Sequence, residues 1–226
     1  MSACLPALEL VTQEPPRYAI IWLHGLGADG SDFEPVVPHL GLPAPPGIRF
    51  VFPHAPAIPV TCNGGYVMPA WYDIVSLEPH SRTIDEAGIL RSRDAVRALI
   101  ARENARGIPS ERVFLAGFSQ GGAVAYVTAL THAERLAGVI ALSTYLPTPE
   151  IAFDEASPEN RNIPIFAAHG NEDDVVSPML GQQARDMLRQ HGYYPTWREY
   201  RMPHSVCLEE IVDIGNWLRP RLATQP

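Results

Sequence analysis

The sequence predicts an α/β fold: a mostly parallel central sheet with helices on both faces, in one domain spanning 1–226. Short β-rich runs alternate along the chain with segments of helical period, the signature of parallel strands joined by helical crossovers. Several runs, such as Tyr18-Ala19-Ile20-Ile21-Trp22-Leu23, are apolar at nearly every position. A strand covered on both faces reads this way, whereas one with a wet face alternates. The composition agrees, since 46% hydrophobic and 19% charged residues in a 226-residue chain supply one ordinary core.

Residues 18–23 form the first predicted strand. Ser31 with Glu34 fits a capping box opening a short helix toward Leu40. A second strand covers 48–52. Residues 53–69 follow, with Pro53, Pro56, Pro59, Gly64, Gly65 and Pro69 and no helical period. They predict a long proline-rich loop over 53–70 beside the functional site, since a loop of that length in a compact domain usually serves function. Over 85–106, Ile89, Val96, Leu99 and Ile100 share one helix face, and Gly107 suits the stop. Strands follow at 113–118, 138–142, 163–168 and 196–200, with a helical run at 123–130 between the first two. Ser177-Pro178 supplies N-cap and N1 of a helix ending near Gly192. An amphipathic helix over 208–218 closes the chain.

Composition also excludes functions. The net charge of -8 repels phosphate backbones, which argues against nucleic-acid binding. No apolar stretch is long enough to span a bilayer, and no basic segment followed by an apolar run marks a secretory signal. Cys4, Cys62 and Cys207 are odd in number and lack metal-site spacing. Three reduced thiols in a cytoplasmic protein are expected.

The chemistry concentrates at Gly117-Phe118-Ser119-Gln120-Gly121-Gly122, a G-x-S-x-G sequence between a predicted strand and a predicted helix. There the serine occupies a sharp, strained turn that lifts its hydroxyl above the sheet, and the flanking glycines let strand and helix approach. The helix N-terminus favours developing negative charge beside it. The bare pattern is common; the strand–turn–helix setting makes it specific. Acyl transfer at such a serine needs N–H donors for an oxyanion. The residue after the nucleophile, Gln120, supplies one. His24-Gly25-Leu26-Gly27 follows the first strand, and Leu26 is expected to supply the other. His24 precedes the serine, so a structural role at the strand end is expected for it.

The base must sit on a loop at the carboxyl ends of the strands. His132 and His191 fall at helix ends and read as surface residues. His204 follows the last strand, in the chain order serine, acid, histidine. His169 also ends a strand, but the carboxylates Glu172, Asp173 and Asp174 come after it, so His204 is the expected base. The acid has to accept the imidazole N–H and stabilise imidazolium; the residues alone leave the three carboxylates open.

Taken together, these stretches resemble the acyl-protein thioesterases and the related small bacterial carboxylesterases and lysophospholipases, which are α/β-hydrolases. Leu23-His24-Gly25-Leu26-Gly27 is similar to the family's LHGLG, and Pro53-His54-Ala55-Pro56, Pro59-Val60-Thr61 and Met68-Pro69-Ala70-Trp71-Tyr72-Asp73-Ile74 to its PHAP, PVT and MPxWxDI. The Ser119 elbow, His169-Gly170 with Asp173 and Val176, and His204-Ser205 complete the match. The resemblance implies Ser119, Asp173 and His204 as triad, Leu26 and Gln120 as oxyanion donors, and no metal or organic cofactor. Two departures stand out. Asp174 follows the acid where the family often has Pro, and Tyr145 stands where eukaryotic members tend to have Trp.

The expected activity is therefore a serine carboxylesterase acting on acyl esters or thioesters of small molecules, with short to medium or long acyl chains and lysophospholipids among them, and Tyr145 favours a bacterial-type member. Protein depalmitoylation by an acyl-protein thioesterase is the alternative, and an acyl-binding or protein-interaction fold-mate the non-enzymatic one. Residues 53–69 and 71–77 are expected to wall an acyl groove lined by Ile74, Val75, Tyr145 and Val175. An apolar face near that groove could support a homodimer, although the sequence shows none.

Overall fold

The computed structural model describes residues 4–78 and 81–223, with Leu77, Glu78 and Ser81 in backbone alone. The first strands are β1 (Ala7–Val11), β2 (Pro16–Leu23) and β3 (Gly47–Pro53), with a 3₁₀ helix (Gly30–Leu40) between the last two. Two short ribbons follow, β4 (Ala57–Val60) with β5 (Tyr66–Pro69) and β6 (Ile74–Glu78) with β7 (Ser81–Ile84), then helix α1 (Glu86–Ala105). The second half runs β8 (Val113–Phe118), α2 (Gln120–Thr131), β9 (Gly138–Leu142), α3 (Pro149–Asp154), β10 (Ile165–Gly170), α4 (Pro178–Gln190), β11 (Thr196–Tyr200) and α5 (Leu208–Ala223).

The main sheet has seven strands in the order β1-β3-β2-β8-β9-β10-β11. Only β1 is antiparallel to its neighbour. The chain winds outward from β2 to β3, then crosses back to β8 and continues the other way. The order therefore reverses between β2 and β8, and ligands of such sheets bind at the strand carboxyl ends there.

Strand alternation divides the core in two. In β2, Ala19, Ile21 and Leu23 join the layer packed by α1, α2 and α4, while Tyr18, Ile20 and Trp22 join the layer packed by the 3₁₀ helix and α5. This explains the uninterrupted apolar run: each residue meets a helix on one face or the other. Ile89, Val96, Leu99 and Ile100 are fully buried on α1 as their spacing predicts, and every residue of α2 is buried.

Several boundaries differ from expectation. Asp29, not Ser31, caps the 3₁₀ helix, its carboxylate accepting from Ser31 N–H, and Pro35 and Pro38 inside that helix remove the donors a regular α-helix would need. The predicted loop over 53–70 contains the antiparallel β4–β5 ribbon, which crosses Pro59 and Pro69 because an edge ribbon tolerates missing donors. Strand β1 and the β6–β7 ribbon carry weak apolar signals and were not anticipated. The strand expected from 163 starts at Ile165, after Pro164, and reaches Gly170.

A buried acid stands in the first turn of α5. Glu210 has no solvent exposure, and burial, only partly offset by Cys207 N–H, pushes its carboxyl up to about 8. Between the ordinary value of 4.5 and about 8 the folded chain keeps a proton that the unfolded chain releases, so stability falls as pH rises through that window. Glu210→Gln is expected to gain stability relative to the native protein from pH 5 to pH 8, by on the order of 2 kcal/mol. Urea denaturation at the two pH values measures it, and a pH-independent difference would contradict it.

Candidate active site

Four loops meet at the carboxyl edge of the parallel strands: after β2 with Leu26, after β8 with Ser119, after β10 with Asp173, and after β11 with His204. The central one is the most constrained. Ser119 has φ 54° and ψ -120°, an unfavourable conformation for a residue with a Cβ. Its N–H donates to Leu142 O at 2.9 Å, and its carbonyl accepts from Thr144 Oγ1 at 2.6 Å and from Ala123 N–H at 3.2 Å. The glycines are required by space. A Cβ at Gly117 would lie 2.3 Å from Gly121 carbonyl atoms, and one at Gly121 would lie 2.4 Å from Leu23 O.

The hydroxyl so presented joins a hydrogen-bonded chain. Ser119 Oγ is 3.0 Å from His204 Nε2, and His204 Nδ1 is 2.7 Å from Asp173 Oδ2. A carboxylate only accepts, so Nδ1 carries the proton and Nε2 is free to accept from the serine. Phe118 packs on the His204 ring with centroids 4.7 Å apart, which restrains the imidazole plane.

Asp173 is a hub. Its side chain is fully buried and takes the N–H groups of Val175 and Val176 on Oδ1, at 2.9 and 2.8 Å, besides His204 on Oδ2. His169, weighed as a rival base, lies behind it. His169 Nε2 is 2.8 Å from Val176 O and 3.4 Å from Asp173 Oδ2, so it carries a proton and faces both acceptors. Burial alone would raise the Asp173 carboxyl, but the bonds from His169 and His204, with Val176 N–H, hold it well below the usual carboxylate range. Asp174 is exposed and has no hydrogen bond to His204 among the described residues, while Glu172 pairs at the surface with Arg201. The carboxylate beside the imidazole is Asp173 alone of the three.

His24 is buried and bonded at both ring nitrogens. Ala55 N–H donates to Nε2 at 3.1 Å, which leaves Nδ1 to donate to Gly25 O at 2.7 Å. Burial lowers its basicity, and a ring that accepts at Nε2 and donates at Nδ1 carries a single proton. On the same loop, Gly27 N–H donates to Pro69 O at 2.8 Å, while the N–H groups of Leu26 and Gln120 have no hydrogen-bond partner among the described residues.

A cavity of about 220 Å³ opens over Ser119 and His204, walled by Leu26, Ile74, Arg82, Tyr145, Val175 and Val176. Three of the four expected lining residues are present. Val75 is not: it follows Ile74 on strand β6, so its side chain points to the opposite side and is 45% exposed. Leu77, expected in the same wall, has a side chain outside the described residues. Tyr145 is fixed by a 2.8 Å bond between its hydroxyl and that of Tyr72, and burial raises both phenols, Tyr145 to about 12. Arg82 was not anticipated. It donates to Val175 O, and its guanidinium stands 5.9 Å from the centre of the Tyr145 ring. One charged residue within a short ribbon gives no sequence signal of facing a cavity. The three cysteines are free. No group of three or more His, Cys, Asp or Glu side chains stands close enough to hold a metal ion among the described residues, and no helix among them is long and apolar enough to cross a membrane.

Comparison with known proteins gives a consistent picture. Residues 10–221 match a family model described as phospholipase/carboxylesterase. Acyl-protein thioesterase 1 of Neurospora crassa is 41% identical over 212 residues, covering 90% of this chain and 86% of the relative. Acyl-protein thioesterase 1 of Cryptococcus neoformans is 37% identical over 238 residues, covering 98% of this chain and all of the relative (100%). Among solved structures, SOBER1 of Arabidopsis thaliana superposes with a TM-score of 0.85 at 35% identity, over 91% of this chain and 99% of that one.

The buried Asp173 carboxylate contributes stability above its ordinary value of 3.8 that is lost as pH falls through its lower folded value. Asp173→Asn is expected to cost about 2–3 kcal/mol at pH 7, a gap that narrows as pH is lowered past 3.8. Guanidinium denaturation across pH measures the gap; a constant value would show that the charge is not what stabilises.

Proposed function

The chain belongs to the phospholipase/carboxylesterase family and is a serine hydrolase of acyl esters or thioesters, and from that premise we propose that it is a single catalytic domain acting as an acyl-protein thioesterase through Ser119, His204 and Asp173. The observation that carries the reading is the chain of contacts from Ser119 Oγ to His204 Nε2 and from His204 Nδ1 to Asp173 Oδ2, at 3.0 and 2.7 Å. His204 Nε2 takes the hydroxyl proton as Ser119 Oγ attacks the acyl carbonyl. Asp173 keeps the other ring proton in place and stabilises the imidazolium. The oxyanion accepts from the N–H groups of Leu26 and Gln120. Collapse of the tetrahedral intermediate expels the thiol, which leaves with the proton held by His204. Water, deprotonated by His204, then attacks the acyl-enzyme, releasing the carboxylic acid and restoring Ser119.

The apolar walls from Ile74, Val175 and Val176 suit a hydrocarbon acyl chain. Thioesters rank ahead of oxygen esters because the two curated relatives compared above are named acyl-protein thioesterase. Tyr145, where eukaryotic members of the family tend to have Trp, favours the second reading, a carboxylesterase of small esters. An acyl-cysteine peptide assayed beside the same acyl group on a small alcohol separates them. We expect at least a tenfold preference in kcat/KM for the thioester, and a comparable ester preference would favour the second reading. Ser119→Ala is expected to lower kcat on either substrate at least a thousandfold; retained turnover would refute the assigned nucleophile.

A further inference from the structure

The stretch Met68-Pro69-Ala70-Trp71-Tyr72 has no part in the steps above, yet it lies between the two loops that would supply the oxyanion donors. Trp71 touches both. Its indole N–H donates to His24 O at 2.9 Å, and its main-chain N–H donates to Gln120 Oε1 at 2.8 Å. Gln120 Nε2 completes the pairing by donating to Tyr72 O at 2.7 Å. The side chain of Gln120 thus clasps the main chain of two consecutive residues, at the N–H of Trp71 and the carbonyl of Tyr72. On the other side, Gly27 N–H reaches Pro69 O at 2.8 Å, and the His24 ring bridges Gly25 O and Ala55 N–H.

These bonds bracket one peptide group on the His24–Gly27 loop and hold the other loop by the Gln120 side chain. His24 O and Gly27 N–H are held from the same segment, with Leu26 N–H between them and unpaired among the described residues. Gln120 is held through its side chain, and its main-chain N–H has no hydrogen-bond partner among the described residues. Trp71, His24 and Gln120 are each at most 2% exposed, so water does not compete for these bonds. Oxyanion donors act through preorganisation, and hydrogen bonds weaken steeply with distance and angle. A brace that sets the gap between the two donors therefore bears on the rate.

We propose that Trp71, together with the Gln120 side-chain amide, is a positioning residue that fixes the separation of the Leu26 and Gln120 N–H groups. The proposal rests on the assignment of those groups as oxyanion donors. It separates two functions within Gln120: the main-chain N–H touches the substrate, while the side chain aligns it.

Trp71→Phe keeps an aromatic ring in the core and removes the indole N–H; Gln120→Met removes both amide bonds and leaves the main-chain N–H. For each variant, active sites are titrated with a phosphonate, and kcat and KM are measured per titrated site on a p-nitrophenyl ester. Affinity is then measured for a trifluoromethyl ketone, which Ser119 converts to a hemiketal oxyanion. We expect kcat to fall roughly 10–100-fold with KM within about twofold, and ketone affinity to fall by a similar factor. Normal kcat and ketone affinity per titrated site in both variants would overturn the proposal, leaving Trp71 a packing residue. So would a loss carried by KM alone. If Trp71→Phe fails to fold, the Gln120→Met result decides. Native protein that takes no phosphonate and turns over no ester would refute instead the assignment beneath the proposal, which would fall with it.

Discussion

The site depends on one backbone constraint, the left-handed conformation of Ser119 between the central strand β8 and helix α2. Such a conformation opposes folding and persists only where its surroundings over-determine it. Here Leu142 O, Thr144 Oγ1 and Ala123 N–H hold the Ser119 peptide groups from three sides. Gly117 and Gly121 permit the contact between strand and helix that closes the turn. Because β8 sits beside β2 where the strand order reverses, the hydroxyl emerges next to the His24–Gly27 loop. Because β10 and β11 follow on the other side, their end loops deliver Asp173 and His204. The helix behind the turn is buried at every position, so the elbow is backed by rigid packing.

Around this elbow the polar groups are arranged so that each histidine has one task. Two acceptor-only neighbours, the Asp173 carboxylate and the Val176 carbonyl, require a proton on the ring nitrogen facing them in His204 and His169. His24 is held the opposite way, accepting a main-chain N–H at Nε2. Of these three rings, His204 is the one whose acceptor nitrogen lies within reach of Ser119. The buried carboxylate keeps its charge because several N–H groups replace the water it loses, which is the condition for a buried ion to be tolerated.

Much of this was legible in the sequence, because it rests on local patterns. The apolar runs of β2, β8 and β9, the α1 face through Ile89, Val96, Leu99 and Ile100, and the glycines around Ser119 each carry their reason within a few residues. The order of Asp173 after His169 and before His204 also separated base from rival. What was not legible depends on partners distant in the chain. The β4–β5 ribbon reads as loop because its strands hold prolines, which only an edge ribbon accommodates. Val75 was misassigned because the strand character of 74–78, and hence the side it faces, comes from pairing with 81–84. Arg82 on the cavity wall and the clasp between Gln120 and Trp71 are products of tertiary approach with no local signal.

The central claim is that Ser119 carries the acyl group during turnover. The direct measurement is mass spectrometry of protein mixed with an excess of a thioester substrate and quenched in acid within the first turnovers. The account predicts the mass of the acyl group on the tryptic peptide 113–135, which contains Ser119 and extends from the residue after Arg112 to Arg135. An acyl group found on another peptide, or turnover with no trapped acyl group under conditions where deacylation limits the rate, would contradict it.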